Sequence, residues 1–242
     1  MTEVLKYKAI CDIGSVRTNN EDMAYVVERT LRDGQCDGEI PMTERCAAFA
    51  VADGMGGYEG GEIASEIVCR SFGSSIKSLS EDDAQCTVTM LKDWAKTANQ
   101  LVLNTGALRP ELSEMGTTFV SLIWFDDTLW LINIGDSRCY RIRNGVLKQL
   151  STDHSERVRT GNPNVPSNLI YNFMGNNPDD FISDVTELMP IAGDIYLLCS
   201  DGLSDLVADE DIEQLANQPD ELVKKAKDAG GRDNITVISI QL

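Results

Sequence analysis

Apolar runs that meet an aspartate at a turn set the frame of this chain. Ala47-Ala48-Phe49-Ala50-Val51-Ala52 ends at Asp53, Leu131-Ile132-Asn133-Ile134-Gly135 at Asp136, and Ile195-Tyr196-Leu197-Leu198-Cys199-Ser200 at Asp201. A fourth run, Ile235-Thr236-Val237-Ile238-Ser239-Ile240, starts just after Asp233. Each run reads as a strand, so each aspartate stands where a strand meets a turn. An ionised carboxylate at the lip of an apolar core is costly unless it is paired or binds a metal. No Lys or Arg adjoins Asp53 or Asp201. Both are followed by glycine, which lets the backbone turn sharply and its carbonyl face the same ion. One Asp-Gly at a strand end is ordinarily a turn. Four such aspartates, with Glu21 and Asp22 beside a further strand start, point instead to a cluster of hard divalent cations. Mg²⁺ and Mn²⁺ take oxygen ligands and keep several waters.

Composition removes whole classes of function. A formal charge of −18 argues against nucleic acid, where phosphate contacts dominate affinity, and against anionic membrane surfaces. Forty-two percent hydrophobic residues over 242 positions allow a full core. The stretch from Met1 to Ala9 has no apolar run of signal-peptide length, and no segment reaches the ~20 apolar residues of a membrane span. Seven dispersed cysteines without a C-x-x-C predict a reduced, cytoplasmic protein. The single histidine, His154, rules out multi-histidine zinc sites, and Gly54 to Gly61 lacks the lysine of a P-loop.

Strands are predicted over Lys6–Cys11, Met23–Glu28, Arg45–Ala52, Thr117–Phe125, Leu129–Ile134, Cys139–Arg143, Ile195–Ser200 and Asn234–Leu242. Asp126-Asp127-Thr128 and Asn144-Gly145 mark hairpins, hence antiparallel pairing. Helices are predicted over Glu62–Ser78, Asp83–Asn104, Asp209–Asn217 and Pro219–Ala229. The second carries an apolar stripe at Val88, Leu91, Ala95, Ala98 and Val102. This order predicts an α+β fold of antiparallel sheets covered by helices. Arg159–Asn168 reads as the least structured stretch, and Trp94, Trp124 and Trp130 as packing residues. No linker or repeat divides the chain, so residues 1–242 are expected to form one domain.

Seven short motifs follow one another. They are Gly14-Ser15-Val16-Arg17-Thr18-Asn19-Asn20-Glu21-Asp22, Val51-Ala52-Asp53-Gly54-Met55-Gly56-Gly57 and Met115-Gly116-Thr117-Thr118. Asn133-Ile134-Gly135-Asp136-Ser137-Arg138, Thr152-Asp153-His154-Ser155, Cys199-Ser200-Asp201-Gly202-Leu203-Ser204-Asp205 and Gly231-Arg232-Asp233-Asn234-Ile235-Thr236 continue the series. From about Asp12 onward it resembles the metal-dependent serine/threonine phosphatases of the protein phosphatase 2C family, in their compact bacterial form. The resemblance implies a sandwich of two antiparallel β-sheets flanked by pairs of α-helices, with metals at one edge.

By the family's pattern, Asp53 would bridge two Mn²⁺ or Mg²⁺ ions and the Gly54 carbonyl would bind one of them. Asp201 and Asp233 would complete the second ion's protein ligands, and Glu21 and Asp22 would hold metal-bound waters. Asp136 and Asp205 match positions that hold a third, weaker ion. Arg17 matches the residue that grips the substrate phosphate, which its planar fork suits. The implied chemistry is direct attack by a hydroxide shared between the two ions, with no protein nucleophile. The implied partners are phosphorylated proteins, substrates of a serine/threonine kinase, and the chain is expected to be a monomer. Because it closes on its last core strand, regulation is expected from separate proteins or from metal supply.

Two departures stand out. Met55 and Tyr58 occupy positions where eukaryotic and many bacterial members, respectively, carry histidine, so leaving-group protonation is not assigned to either. The flap near 155–175 is short, with only 20 residues between His154 and Gly175. His154 is expected to be a hydrogen-bonded positioning residue. Two rival readings have other chemistries. Cys11 and Arg17 have the C-x₅-R spacing of cysteine-dependent phosphatases, but Glu21 and Asp22 follow closely and would repel phosphate. A catalytically weak phosphoprotein-binding module on the same fold would have no chemical need for Asp53, Asp201 and Asp233 together.

Overall fold

The computed structural model describes residues 4–56, 60–81 and 86–242. Along the chain come β1 (Val4–Asp12), β2 (Met23–Val26), β3 (Arg29–Leu31), β4 (Gly34–Pro41), β5 (Cys46–Ala52) and the two-residue β6 (Gly54–Met55). Helices α1 (Gly61–Glu81) and α2 (Val88–Leu108) follow, then β7 (Gly116–Thr117), β8 (Phe119–Phe125), β9 (Thr128–Ile134), β10 (Arg138–Arg143) and β11 (Val146–Gln149). A short α3 (Glu156–Thr160) precedes β12 (Asp184–Leu188) and β13 (Ile195–Cys199). Then come α4 (Asp201–Ser204), α5 (Asp209–Leu215), α6 (Pro219–Asp228) and β14 (Ile235–Gln241).

Two six-stranded sheets result, one in the order β11-β10-β13-β14-β1-β4 and the other β12-β9-β8-β5-β2-β3, while β6 and β7 pair separately. Pairing is antiparallel throughout both sheets. The hairpin at Asn144-Gly145 has φ of 54° and 74°, the left-handed geometry that a two-residue turn between twisted strands requires.

Register decides where the aspartates end up. Met23 lies opposite Ala52, and Val51 opposite Val120. Phe119 lies opposite Ile134, and Asn133 opposite Asp184. In the other sheet Asp12 pairs with Ile235, Val237 with Cys199, and Cys199 with Arg138. The end of β5, the end of β9, the end of β13 and the start of β14 therefore share one rim of the sandwich, and Asp53, Asp136, Asp201 and Asp233 stand on it.

Three apolar layers hold the sheets in this relation. Between them, Phe49, Val51, Leu122, Leu131, Leu198 and Ile238 interdigitate. Val68, Phe72, Leu91 and Trp94 of α1 and α2 cover the outer face of one sheet, against Phe119 and Ile132. Ile212, Leu222 and Val223 of α5 and α6 cover the other, against Tyr140, Leu197 and Val237. Burying each such side chain contributes about 1.5–3 kcal/mol. Phe72 adds edge-on contacts to Tyr25 and Phe119, with centroids 5.3 and 5.1 Å apart. The three tryptophans are all buried, as their packing role requires.

The structure differs from expectation at the margins. Helix α2 starts at Val88, where Thr87 caps it by accepting the Met90 N–H; its expected start at Asp83 lies outside the described residues. Strands β3, β4, β6 and β12 match no predicted run, whereas β11 is the return strand of the expected Asn144-Gly145 hairpin. Arg159 and Thr160 belong to α3, which Ser155 caps at its start and Gly161, at φ 64°, at its end.

Candidate metal centre

Asp53 leaves β5 with its backbone already fixed. Its N–H donates to Thr118 Oγ1 at 3.0 Å, and its carbonyl accepts from Thr118 N–H and Thr117 Oγ1, both at 2.9 Å. Thr118 Oγ1 in turn lies 2.7 Å from Ser137 Oγ, beside Asp136. The Met115–Thr118 motif is therefore the backbone splint between two of the carboxylates. Gly54 pairs with Thr117, and its N–H donates to the Glu21 carbonyl at 3.2 Å. A Cβ on Gly54 would lie 2.2 Å from the Gly61 carbonyl oxygen and 2.5 Å from that of Glu21, so only glycine lets α1 close over this turn.

Asp22 is the deepest of the set, 1% exposed. Its Oδ2 accepts from Ser200 Oγ at 2.8 Å and from Thr236 Oγ1 at 2.7 Å. Its Oδ1 is buried and has no protein partner. Glu21 is held by its backbone, the N–H donating to Asn234 Oδ1 at 2.8 Å and the carbonyl accepting from Ser65 Oγ at 2.6 Å. Asn234 also donates from Nδ2 to the carbonyls of Ile13 and Asn19, both at 3.0 Å. One amide side chain thus stitches the 13–21 loop to the entry of β14. Arg32 clamps the other side. It donates to the Asp22 carbonyl at 3.2 Å, to the Glu62 carbonyl at 2.6 Å and to Ser65 Oγ at 3.0 Å.

Asp201 opens α4, and Asp233 precedes β14 with Oδ1 accepting the Asn234 N–H at 2.8 Å. Their backbones touch at Gly202, where an added Cβ would sit 1.9 Å from the Asn234 carbonyl oxygen. Asp205 caps the end of α4 and accepts from Ser167 Oγ of the flap at 3.0 Å. Arg17 is half-exposed; its Nη2 donates to Asp233 Oδ2 at 2.7 Å and Nη1 lies 3.7 Å from Glu21 Oε2.

The electrostatics of this rim are those of anions in want of cations. Burial, followed by repulsion from Asp201 and Asp233, pushes Asp22 up to about 7. Burial and then Asp233 and Asp205 push Asp201 to about 6. Burial and then Asp201, Asp153 and Asp205 push Asp136 to about 8. Asp53 is raised well above the carboxylate range by burial and then by Asp22, Asp201 and Asp136. Among the described residues no three acidic, cysteine or histidine side chains are spaced to ligate one ion unaided. The orphaned Asp22 Oδ1, inside a ring of mutually repelling carboxylates, fits a divalent cation or its water.

The structure separates the remaining candidates from this centre. Cys11 lies within β1, 1% exposed, and burial, then the charge of Asp22, pushes its thiol up to about 11. A protonated thiol inside a sheet is no nucleophile, which removes the cysteine mechanism. His154 is 3% exposed; Nε2 meets Asp184 Oδ2 at 3.0 Å, while Nδ1 accepts from Asn172 Nδ2 at 2.7 Å and from Gly135 N–H at 3.2 Å. Both ring nitrogens are engaged, so His154 braces the flap against the Asp136 turn. Gly57 and Tyr58 lie outside the described residues. Ser200, Thr236, Asn234 and Arg32 are supporting residues without a role in the sequence reading. The first three sit inside the quoted motifs, whereas Arg32 has no local signal.

A protein phosphatase 2C family model matches residues 35–235. The chain belongs to the protein phosphatase 2C family. Serine/threonine phosphatase stp of Listeria monocytogenes is 33% identical over 252 residues, covering 95% of this chain and 93% of that protein. Serine/threonine protein phosphatase PstP of Mycobacterium tuberculosis is 32% identical over 256 residues; the alignment covers 98% of this chain but spans only 45% of that protein's length. The solved catalytic domain of PstP in complex with two manganese ions superposes with a TM-score of 0.79 at 32% identity, covering 99% of each chain. The two-sheet, four-layer architecture expected from sequence is thus that of the protein phosphatase 2C fold.

Proposed function

We propose that this protein phosphatase 2C chain hydrolyses phosphoserine and phosphothreonine on proteins, with Mn²⁺ or Mg²⁺ as cofactor, and that residues 1–242 form one catalytic domain with a short flap near 155–175. The carrying observation is Asp22, buried with one carboxylate oxygen unpartnered amid Asp53, Asp201 and Asp233. Asp53, the Gly54 carbonyl, Asp201 and Asp233 would hold two ions, Glu21 and Asp22 the waters around them, and Asp136 with Asp205 a third. When bound, the ion pair supplies the hydroxide for direct in-line attack and offsets charge on the phosphoryl oxygens, with no phosphoenzyme.

The chain's own residues do the positioning. Thr117, Thr118 and Asn234 fix the backbones of Asp53 and Glu21, and Ser200 and Thr236 aim Asp22. Arg17 would exchange its Asp233 contact for two phosphate oxygens once that carboxylate is neutralised. Among the described residues no helix is long and apolar enough to cross a membrane. The proposed partners are phosphorylated substrates of a serine/threonine kinase, met by a monomeric, cytoplasmic enzyme that binds no nucleic acid.

The deciding experiment measures hydrolysis of an aryl phosphate and a phosphothreonine peptide with Mn²⁺, with chelator, and in Asp201→Asn. Turnover should vanish in chelator, return with Mn²⁺ and fall in the variant. Full activity after exhaustive metal removal would sink the proposal. Tight Mn²⁺ binding without turnover on either substrate would favour the phosphoprotein-binding module instead.

A further inference from the structure

The end of the sandwich away from the carboxylates carries an apolar cleft of about 430 Å³, within the ~300–1,000 Å³ of ligand pockets. Both sheets wall it: Val4 and Leu242 on one side, Trp124 and Leu188 on the other. Its floor is continuous with the core between the sheets, which Met42, Leu188 and Leu242 adjoin. Seven residues of β9, about 20 Å of strand, separate it from the Asp136 rim.

The outer lip is Met189-Pro190-Ile191, with Met189 78% and Ile191 47% exposed. Water-facing apolar side chains on a loop are ordinarily free to move; here the loop is braced from beneath. Arg143 donates to Asp194 in a fork of 2.7 and 2.6 Å and to the Met189 carbonyl at 2.8 Å. Asp194, 1% exposed, also accepts from Ile191 N–H and from the Tyr196 hydroxyl, both at 3.0 Å. Gly193 N–H donates to the Leu242 carbonyl at 2.9 Å, and Leu242 N–H to that of Asp194 at 3.0 Å. An ion pair with its carboxylate buried that orders exposed methionine and isoleucine lies far from the carboxylate rim. It pre-organises a binding surface, which lowers the entropy lost when a partner docks. Asp127 and Glu187 stand exposed at the mouth of the cleft, so its rim is acidic.

We infer that this cleft docks a segment of a partner protein in which two or three adjacent apolar side chains are flanked by lysine or arginine. The apolar residues enter between the sheets over Trp124 and Met42, and the flanking cations meet Asp127 and Glu187. Methionine at the lip adapts to apolar side chains of differing shape.

The test is amide chemical-shift mapping of the isotope-labelled protein with the peptide Lys-Leu-Phe-Leu-Lys, acetylated and amidated, beside the same peptide with glutamate in place of both lysines. Saturable shifts at Leu188–Asp194 and Leu242 with the lysine peptide alone are expected. Met189→Glu and Ile191→Glu, both at exposed positions, should each weaken binding by about tenfold or more while aryl phosphate hydrolysis stays unchanged. Absence of saturable shifts at millimolar peptide overturns the inference, as does equal binding of the glutamate peptide. Sedimentation showing self-association that Met189→Glu abolishes would assign the cleft to a second copy of the chain, and so would also overturn it.

Discussion

Gly202 tests whether backbone contact sets the separation of Asp201 and Asp233. A Cβ at this position would lie 1.9 Å from the Asn234 carbonyl oxygen, whereas ordinary contact begins at 3.4 Å. In Gly202→Ala the α4 turn and the 233–234 backbone must therefore part by about 1.5 Å. No side chain can swing aside to absorb this, because the neighbour is main chain. The displacement also reaches Glu21, whose N–H hangs on the Asn234 side chain. Overpacking of this kind costs about 1–3 kcal/mol, a fall of a few degrees in Tm for a chain of this size. Misplacement of about 1 Å can cost ~10²-fold in rate. At saturating Mn²⁺, aryl phosphate turnover should thus drop about a hundredfold, and calorimetric titration should show weaker Mn²⁺ binding. Gly145→Ala is the control: its φ is positive, 74°, unlike that of Gly202 in α4, and nothing lies within 4 Å of the added Cβ, so it should cost stability without touching turnover. If Gly202→Ala folds, binds Mn²⁺ as the parent does and turns over within twofold, the pairing of these two carboxylates is refuted.

Three further outcomes are expected. Arg32→Ala removes the donors that tie the Asp22 carbonyl to Glu62 and Ser65 of α1, and should weaken Mn²⁺ affinity by about 10–100-fold; Arg32→Lys should restore little, since one ammonium cannot span the same three acceptors, and wild-type affinity in Arg32→Ala would exclude the clamp. In the metal-stripped protein, Asp136 at about 8, Asp22 at about 7 and Asp201 at about 6 are raised above the unfolded value. The high-pH fold therefore carries the cost of burying these charges and then their repulsion, and both are relieved as pH falls through those values. Tm in chelator should rise from about pH 8 to about pH 6, and Mn²⁺ should flatten that slope; a falling Tm would refute the assignment. His154→Ala should lower Tm through loss of the flap brace while leaving both limbs of the kcat–pH profile on phosphopeptide in place. Loss of one limb would make His154 the proton donor.

The rim was legible in sequence because each aspartate terminates or precedes an apolar run, so register alone had to bring them together. Asp53 and Asp201 carried the further signal of a following glycine, and the structure gives both glycines a close backbone neighbour. Edge strands were illegible for the converse reason. Gly34–Pro41 and Asp184–Leu188 each pair on one side only and are mostly exposed, so neither needs an apolar run. Helix α4, four residues long, is too short to show a 3.6-residue period. Helix α3 did carry a readable signal, Ser155 at its start and Gly161 at its end, which the glycine- and proline-rich stretch beyond obscured. Arg32 could not be found locally, since its three acceptors lie 10 to 33 positions away along the chain.

The place of β14 in its sheet has a consequence for how the protein comes to life. It lies between β13 and β1, so it alone joins β11-β10-β13 to β1-β4. Its partner Lys6 is paired with Gln241, nearly the whole chain apart, and contacts of such separation form slowly. Until that strand inserts, β13 and β1 each present an open, largely apolar edge, the template on which unwanted pairing begins. Insertion heals both edges in one step. The same step carries Asp233 to Arg17 and Thr236 to Asp22. A half-assembled molecule is therefore sticky and chemically inert together, and release from the first condition confers the second's opposite.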